Sequence, residues 1–378
     1  MHFLRFVQPM RKTGDRIKRG DTGGTGTRLK DVAQALGVSI STVSAVLHKR
    51  PNFNQATRER VLRKIEELKY RPNWLARGLA TQKTHVLGVV VPNLSRPFFP
   101  LVMDGIDKIT YPAGYNLLVF NSEDDPAREE EGLATLLSRQ VDGVILASAR
   151  DVRKNPFWKS FGKWTAPFVF IDRFFPSVPF VGADNEHIGF MVTQHLIKQG
   201  YRSIAHLAAP DVATGLGRYR GYLRALREAG MRMRRGYVLT LPGRELEGGY
   251  EGAKRLLALK HVPDAIFAVN DLVAIGAMMA LQERGIRIPE ECGLIGVGSV
   301  RFGDCLRVPL STVDLHPTEV GKTSARILLT LINGEPAPSS PVFLTPKLIV
   351  RESSRRIRLD GLLAPNRNAD AIFVSEQI

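Results

Sequence analysis

Two sets of side chains in this sequence have types and spacing suited to acting on a partner. The first lies in GVSISTVSAVLHKRP, residues 37–51, where Ser39, Ser41, Thr42 and Ser44 crowd beside Ile40, Ala45 and the basic run that starts at His48. Short hydroxyls donate and accept hydrogen bonds at close range, and flanking cations hold phosphates. On one face of a helix this combination suits the major groove of DNA. The second set consists of polar residues that follow apolar, β-branched runs. Asp172 and Arg173 follow PFVFI, Asn270 and Asp271 follow DAIFAV, and Gly298 and Ser299 close GLIGV. Phe98 lies in NLSRPFF and Arg218 in GLGRYRG. The carboxyl ends of buried parallel strands gather ligand-binding side chains, so this set points to a small-molecule cleft.

Catalytic chemistry finds less support. GVGSVR lacks the third glycine of a dinucleotide fingerprint, and GKT at Gly321–Thr323 has His316 where a phosphate loop needs its upstream glycine. HExxH, GxSxG and paired catalytic carboxylates do not occur. Cys292 and Cys305 match no metal spacing and make no disulfide framework, which suits a reducing cytoplasm. No catalytic residue, metal or cofactor is assigned.

The elements that position the first set are short helices. In TRLKDVAQALG, Leu29, Val32, Ala33 and Leu36 recur at i, i+3, i+4 and i+7, with Thr27 placed as cap and Gly37 as stop. Ser39 then caps a second helix with Val43, Val46 and Leu47 inward. Asn54 caps a third, NQATRERVLRKIEELKY, with Val61, Leu62, Ile65 and Leu68 toward the same core. An ordinary three-helix bundle has the same pattern; charge separates the two readings. Residues 1–85 hold 18 Lys/Arg against 6 Asp/Glu, so a surplus of 12 of the chain's +16 sits in under a quarter of its length. That distribution marks a polyanion-binding module on a nearly neutral body. Residues 1–26 have glycines and no periodicity and read as a disordered, solubilising basic arm. Their apolar patch is too short and precedes the basic residues, the wrong order for a signal peptide. No run of about 18 apolar residues exists to span a membrane.

The elements behind the second set alternate. VLGVVVPNL, YNLLVFNS, VDGVILAS, PFVFID, SIAHLAA, GYVLTL, DAIFAVN and GLIGVGS read as strands, separated by helices such as PLVMDGIDKIT, REEEGLATLLSRQ and DLVAIGAMMALQERG. Apolar runs between helices predict parallel sheets, and so many exceed one comfortable sheet. Two doubly wound α/β halves with a cleft between them are expected.

Three segments, LKDVAQALGVSISTVSAVL, TRERVLRKIEELKYRPNWLARGLA and VRES, carry a resemblance to the LacI/GalR family of bacterial repressors, spanning Thr27 to Ser354. The resemblance implies a helix-turn-helix DNA-binding domain over 27–72 and a hinge helix with linker over 73–84. An effector-binding and dimerisation body of two periplasmic-binding-protein-like subdomains would occupy 85–354, leaving a tail at 355–378. In that family the hinge orders on operator DNA and wedges a leucine into the minor groove. Leu79 holds that position, with Asn73, Ala76 and Arg77 beside it; packing on the body is the other reading of Leu79. Relatives commonly carry an arginine where this chain has Ala45, so base reading is expected to rest on Ile40, Ser41 and Thr42, with Thr27, Ser39, Ser44 and His48 also at the DNA.

For the cleft, the resemblance implies that Phe98 stacks on the ligand, against a core-packing reading. It makes Asp172 and Arg218 polar grips, with Arg173 and Arg244 facing the same space. Asn270 and Asp271 match a family pair; for Asp271, helix capping and ligand contact both stand. Gly298 and Ser299 replace two aspartates usual in relatives, which removes negative charge from the cleft. An anionic effector, a sugar acid or phosphorylated sugar, is therefore expected over a neutral sugar; a degenerate pocket, or Asp304 as substitute acid, is the other reading. Together these readings describe a cytoplasmic, homodimeric, effector-controlled repressor of double-stranded operator DNA, with no membrane partner. Pro365 and the lack of heptads argue against a coiled coil in the tail. A solute-binding receptor with the same body, or a nucleotide-using enzyme, are the alternatives; the basic module and the motif failures count against them.

Overall fold

Helix α1 (Leu29–Leu36) stops at Gly37, which adopts φ 64°. A Cβ would be strained there, and the turn lets the Gly37 and Val38 N–H groups reach back to the Gln34 and Ala33 carbonyls at 3.2 and 3.1 Å. Helix α2 (Ile40–Leu47) follows, capped by Ser39, whose Oγ accepts from Thr42 N–H at 3.1 Å. Helix α3 (Gln55–Glu67) is capped by Asn54, which accepts from Thr57 N–H at 2.8 Å. The first cap differs from expectation. Arg28 is the N-cap residue, its backbone N–H donating to Asp31 Oδ2 at 2.7 Å, while the Thr27 hydroxyl donates to the Leu68 carbonyl at 2.8 Å. Val32, Ala33, Val43, Val46 and Val61 form the core. Ile65 and Leu68 pack on it, but Leu62, expected inward, is 46% exposed. One residue past Val61 is about 100° around the helix, which takes Leu62 off the buried face. With so few buried residues, each contributing about 1.5–3 kcal/mol, caps worth about 1 kcal/mol each matter.

The computed structural model describes residues 27–47, 54–70, 83–149, 166–174, 178–241, 243–336, 338 and 340–356. These fall into two units, one within residues 1–82 and the other within 83–378. The hinge, the N-terminal arm and the tail after residue 356 lie outside the described residues.

In the second unit, strands β1 (Val86–Val91), β2 (Asn116–Asn121), β3 (Gly143–Leu146), β4 (Phe168–Ile171) and β5 (Phe180–Gly182) alternate with helices α4 (Phe98–Thr110) and α5 (Pro126–Ser138). They form an all-parallel sheet ordered β11-β5-β4-β3-β1-β2, in which β11 is the late strand Val342–Phe343. Alternate residues serve opposite faces. Leu87, Val89, Ile145 and Val169 pack with α4, whereas Val90, Val144, Leu146 and Phe170 pack with Leu133 and Leu136 of α5. Both faces are covered, so the strands read as continuous apolar runs.

After β5 the chain crosses to helix α6 (Asn185–Lys198) and a second parallel sheet. Strands β6 (Ile204–Ala208), β7 (Val238–Thr240), β8 (Ala265–Ala268) and β9 (Gly293–Ile295) lie in the order β7-β6-β8-β9. Helices α7 (Ala213–Glu228), α8 (Leu246–Leu257) and α9 (Asp271–Glu283) complete this half. Strand β10 (Thr312–Asp314) leads back to helix α10 (Pro317–Ile332), whose Val320, Ala325 and Leu328 join the first core. After β11 the chain returns once more as β12 (Lys347–Ile349), antiparallel to β10. Three crossings therefore tie the halves together. Each parallel sheet sends its loops out at the carboxyl ends of its strands.

Candidate functional site

In the first unit, α2 buries Val43 and Val46 and turns its first turn outward: Ile40 is 51% exposed, and Ser39 and Ser41 are exposed. The hydroxyls there are already organised. Ser39 Oγ lies 2.7 Å from Ser41 Oγ and 2.8 Å from Thr42 Oγ1. An apolar tip beside a fixed hydroxyl cluster offers a methyl-contacting group and hydrogen-bonding groups within one turn, the requirement for reading base edges. Ser44 and Ala45 are half-buried further along the helix. Arg60, on α3, donates to the Leu36 carbonyl at 2.9 Å and so closes the end of α1. His48, Asn73, Ala76, Arg77 and Leu79 lie outside the described residues.

In the second unit, loops from both sheets enclose a cavity of about 100 Å³. Phe98, Asp172, Arg173, Arg218, Arg244, Asn270, Asp271 and Gly298 all line it, joined by Arg96, which sequence reasoning did not single out. Phe98 sits between the halves, packing on a core cluster of each. Ser299, expected here, does not line the cavity; its N–H donates to Thr312 Oγ1 at 3.1 Å. Asp304 does not line it either and instead accepts from the Cys305 thiol at 3.5 Å.

The polar residues divide by what already occupies them. Arg218 is buried, with Nε donating to Asn185 Oδ1 at 3.0 Å and one terminal nitrogen to the Val269 carbonyl at 2.6 Å. Burial lowers its pKa to about 10, opposed by Asp172 and Asp271, so it stays charged at neutral pH. Asn270 is the N-cap of α9: Oδ1 accepts from Val273 N–H at 2.8 Å while Nδ2 donates to the Arg244 carbonyl at 2.9 Å, fixing that loop. Asp271 is therefore not the cap. Its carboxylate is buried, accepting from Val300 N–H at 2.8 Å and from the Thr312 hydroxyl at 2.7 Å. Burial raises its pKa to about 6 against those hydrogen bonds and the pull of Arg218 and Arg351. Asp271 thus holds the loop that carries Gly298. Gly298 has φ 138°, and a Cβ there would stand 3.6 Å from Asp271 Oδ2. An aspartate in its place would need another backbone conformation and would face a second carboxylate.

Asp172 is the carboxylate with room to act. It sits at φ 62°, lines the cavity, and makes no side-chain hydrogen bond among the described residues; Arg173 Nε is 4.0 Å away. Such strain at a strand end is typical of functional positions. Asp124 was missed altogether. It follows β2 in NSEDD and accepts hydrogen bonds from Arg96 (2.7 Å), Arg173 (2.5 Å) and Arg244 (2.6 Å). Burial alone would raise its pKa, but Arg173 first and then Arg96 and Arg244 hold it well below the ordinary carboxylate range.

A helix-turn-helix module joined to a two-sheet body with a polar cleft at its strand ends defines a ligand-responsive DNA-binding protein. The description "Bacterial regulatory proteins, lacI family" matches residues 28–73, and "Periplasmic binding protein-like domain" matches residues 193–354. The chain is 31% identical over 333 residues to the HTH-type transcriptional repressor PurR of Mannheimia succiniciproducens, covering 87% of this chain and 99% of that one. It is 32% identical over 329 residues to catabolite control protein A of Priestia megaterium, covering 86% and 98%. A solved LacI-family transcriptional regulator from Silicibacter pomeroyi superposes with a TM-score of 0.74 at 30% identity, covering 87% and 100%. The chain belongs to the LacI family of bacterial transcriptional regulators. The expected fold class, a helix-turn-helix module with a periplasmic-binding-protein-like α/β body, holds.

Proposed function

We propose that this protein is a cytoplasmic, homodimeric repressor whose operator affinity is set by a small hydrophilic effector, of the sugar, sugar-acid or sugar-phosphate kind, in the cleft. One helix-turn-helix per chain reads one half-site, so a two-fold dimer matches a palindromic operator. Ile40, Ser41 and Thr42 would read base edges, with Ser39, Ser44 and Ala45 alongside, Thr27 and His48 also at the DNA, Leu79 wedging the minor groove, and Asn73, Ala76 and Arg77 contacting DNA with it. Phe98, Asp172, Arg218 and Asn270 would grip the effector. No catalytic step is assigned to any of them.

The observation that carries this reading is the cavity, whose lining combines residues of both halves: Asp172 at a strand end of the first, and from the second Asn270 at a strand end and Arg218 on helix α7. A ligand there touches both halves and so biases their arrangement, which is what coupling to DNA requires. A gel shift on the DNA flanking its own gene tests it. Leu79→Ala should cut operator affinity by about a few kcal/mol while leaving folding and ligand binding intact, because a wedge contributes only on bent DNA. Wild-type affinity in Leu79→Ala would remove the hinge from the mechanism, and no DNA binding at all would favour a solute receptor.

A further inference from the structure

Three arginines that line the cleft converge on a carboxylate that does not line it. Asp124 and its partners Arg96 and Arg173 come from loops of the first half, after β2, β1 and β4, whereas Arg244 follows β7 of the second. Arg96 also donates through Nε to Glu245 Oε1 at 3.0 Å, and Arg244 to Asp211 Oδ2 at 2.9 Å. Those two acids are the outer counter-charges, with side chains 34% and 57% exposed. Inside, the cavity presents Arg96, Arg173, Arg218 and Arg244 against Asp172 and Asp271, and both oxygens of Asp271 are taken by Val300 and Thr312.

The guanidinium donors are not all used. Nε of Arg173 and Nε of Arg244 are both buried and meet no acceptor among the described residues, although Arg173 is only 4% exposed. A guanidinium offers five N–H donors in a fork that suits a carboxylate or phosphate, and a buried unpaired donor is destabilising. The cavity is also small: about 100 Å³, against roughly 300–1,000 Å³ for ordinary ligand pockets. The ion pairs Asp124–Arg244 and Arg96–Glu245 join the two halves around that reduced space.

Resting on the reading of the cleft as the effector site, we infer that Arg173 and Arg244, backed by Arg96, form an acid-binding subsite in which Asp124 is a built-in counter-ion, and that the effector carries a carboxylate or phosphate that takes its place. Exchange of one anion for another leaves no cation bare at the end of the step. An acid group with a third oxygen has an acceptor to spare for an orphan Nε. Releasing Asp124 also frees one of the two ion pairs that hold the halves together, which makes room for the rest of the molecule.

Titration calorimetry on the full chain tests this with inorganic phosphate as minimal anion, and with D-glucose, D-gluconate and D-glucose 6-phosphate as matched skeletons. Asp124→Asn should bind phosphate at least tenfold more tightly than the native chain, and adding Arg173→Gln should abolish the gain. Should Asp124→Asn fail to fold by circular dichroism, Arg244→Gln in the otherwise native chain should weaken gluconate or glucose 6-phosphate binding at least tenfold. Phosphate binding by folded Asp124→Asn that is no tighter than native, or anion binding indifferent to Arg173→Gln and Arg244→Gln, overturns the proposal. Operator binding in the same samples separates it from the reading it rests on. An anion that binds through Arg173 and Arg244 without changing operator affinity upholds the subsite and removes the effector role. Glucose that binds and changes operator affinity, indifferent to both substitutions, upholds the effector role and overturns the subsite.

Discussion

The face offered to DNA and the wall of the cleft solve opposite electrostatic problems. The first turn of α2 is neutral, with Ile40, Ser41 and a hydroxyl cluster, and the basic surplus of its module lies elsewhere in the segment. The cleft holds its charges inside, as arginines against aspartates. On the surface, charge supplies long-range attraction and the small neutral groups supply discrimination. In a closed site, screening is weak and every charge must be matched locally. The two sites also differ in how their residues meet. The hydroxyl cluster joins residues two and three apart, whereas Asp124 joins arginines 28, 49 and 120 residues away.

Salt should break the two sites apart most strongly. If the module neutralises six to ten phosphates, log K for DNA falls by about 0.9 per phosphate for each unit of log salt, or roughly 10³- to 10⁵-fold between 50 and 200 mM. Ligand binding in the cleft should change far less over the same range, because the pairs of Asp124 with Arg96, Arg173 and Arg244 are largely shielded from solvent. Deleting residues 1–26 should weaken DNA binding only moderately. Parallel titrations of both affinities against salt check this, and a flat DNA curve would remove the electrostatic part of the reading.

A smaller effect separates two aspartates within the body. Burial raises Asp271 from the ordinary 3.8 to about 6, so the folded chain holds that proton more firmly than the unfolded one. Stability from this group therefore declines as pH rises from about 4 to about 6, by on the order of 3 kcal/mol, and is level above. Asp124 has the reverse sign. Although burial pushes it up, its arginines hold it low, so its stabilisation is present above about pH 4 and lost as pH falls further. Buried His195 and His206 work against this slope: burial lowers their pKa from 6.5 to about 4, so their contribution rises with pH over the same window. The Asp271 slope is therefore read as the difference between the native chain and Asp271→Asn. Urea denaturation of both from pH 3 to 8, following the body's transition, should show the native chain's advantage over Asp271→Asn shrinking between about pH 4 and 6. This comes on top of a constant cost for losing one of the two acceptor oxygens that serve Val300 and Thr312. A difference that stays level over that range would remove the slope from Asp271.

What was legible in the sequence follows the same division between near and far. All eight apolar runs are strands, because a buried parallel strand announces itself by composition. The strands β5, β10, β11 and β12 have only two or three residues; β7 and β9 are as short and are legible only through the longer runs GYVLTL and GLIGVGS around them. The caps Ser39 and Asn54 were readable because a cap bonds within its own turn. The sequence offers Asp271 as cap or ligand; Asn270 is the cap, and Asp271, which lines the cavity, accepts from Val300 and Thr312, 29 and 41 residues on. In NSEDD, Asp124 reads as one of several surface acids, and only folding brings three arginines to it. Arg244 is assigned to the cleft only through the family resemblance, and the structure sets it there with Asp124 as partner.

The finest distinction concerns one side chain on α2. Ala45 lies four residues beyond exposed Ser41 and is itself half-buried, so it stands on the same side of the helix one turn further in. A methyl group there can meet only another apolar group. Arginine is tolerated sterically if its stem lies along the helix surface with the head group outward, and Val43 and Val46 beneath are untouched. Ala45→Arg should therefore fold normally and gain roughly 1–3 kcal/mol on half-sites with a guanine in reach, through bidentate contact with O6 and N7. Selection from randomised half-sites, run on both proteins, distinguishes this from a phosphate contact. A base contact shifts the preferred sequence at one position. A phosphate contact raises affinity evenly across sequences and steepens the salt dependence, and that outcome would show that α2 does not bring residue 45 to the base edges.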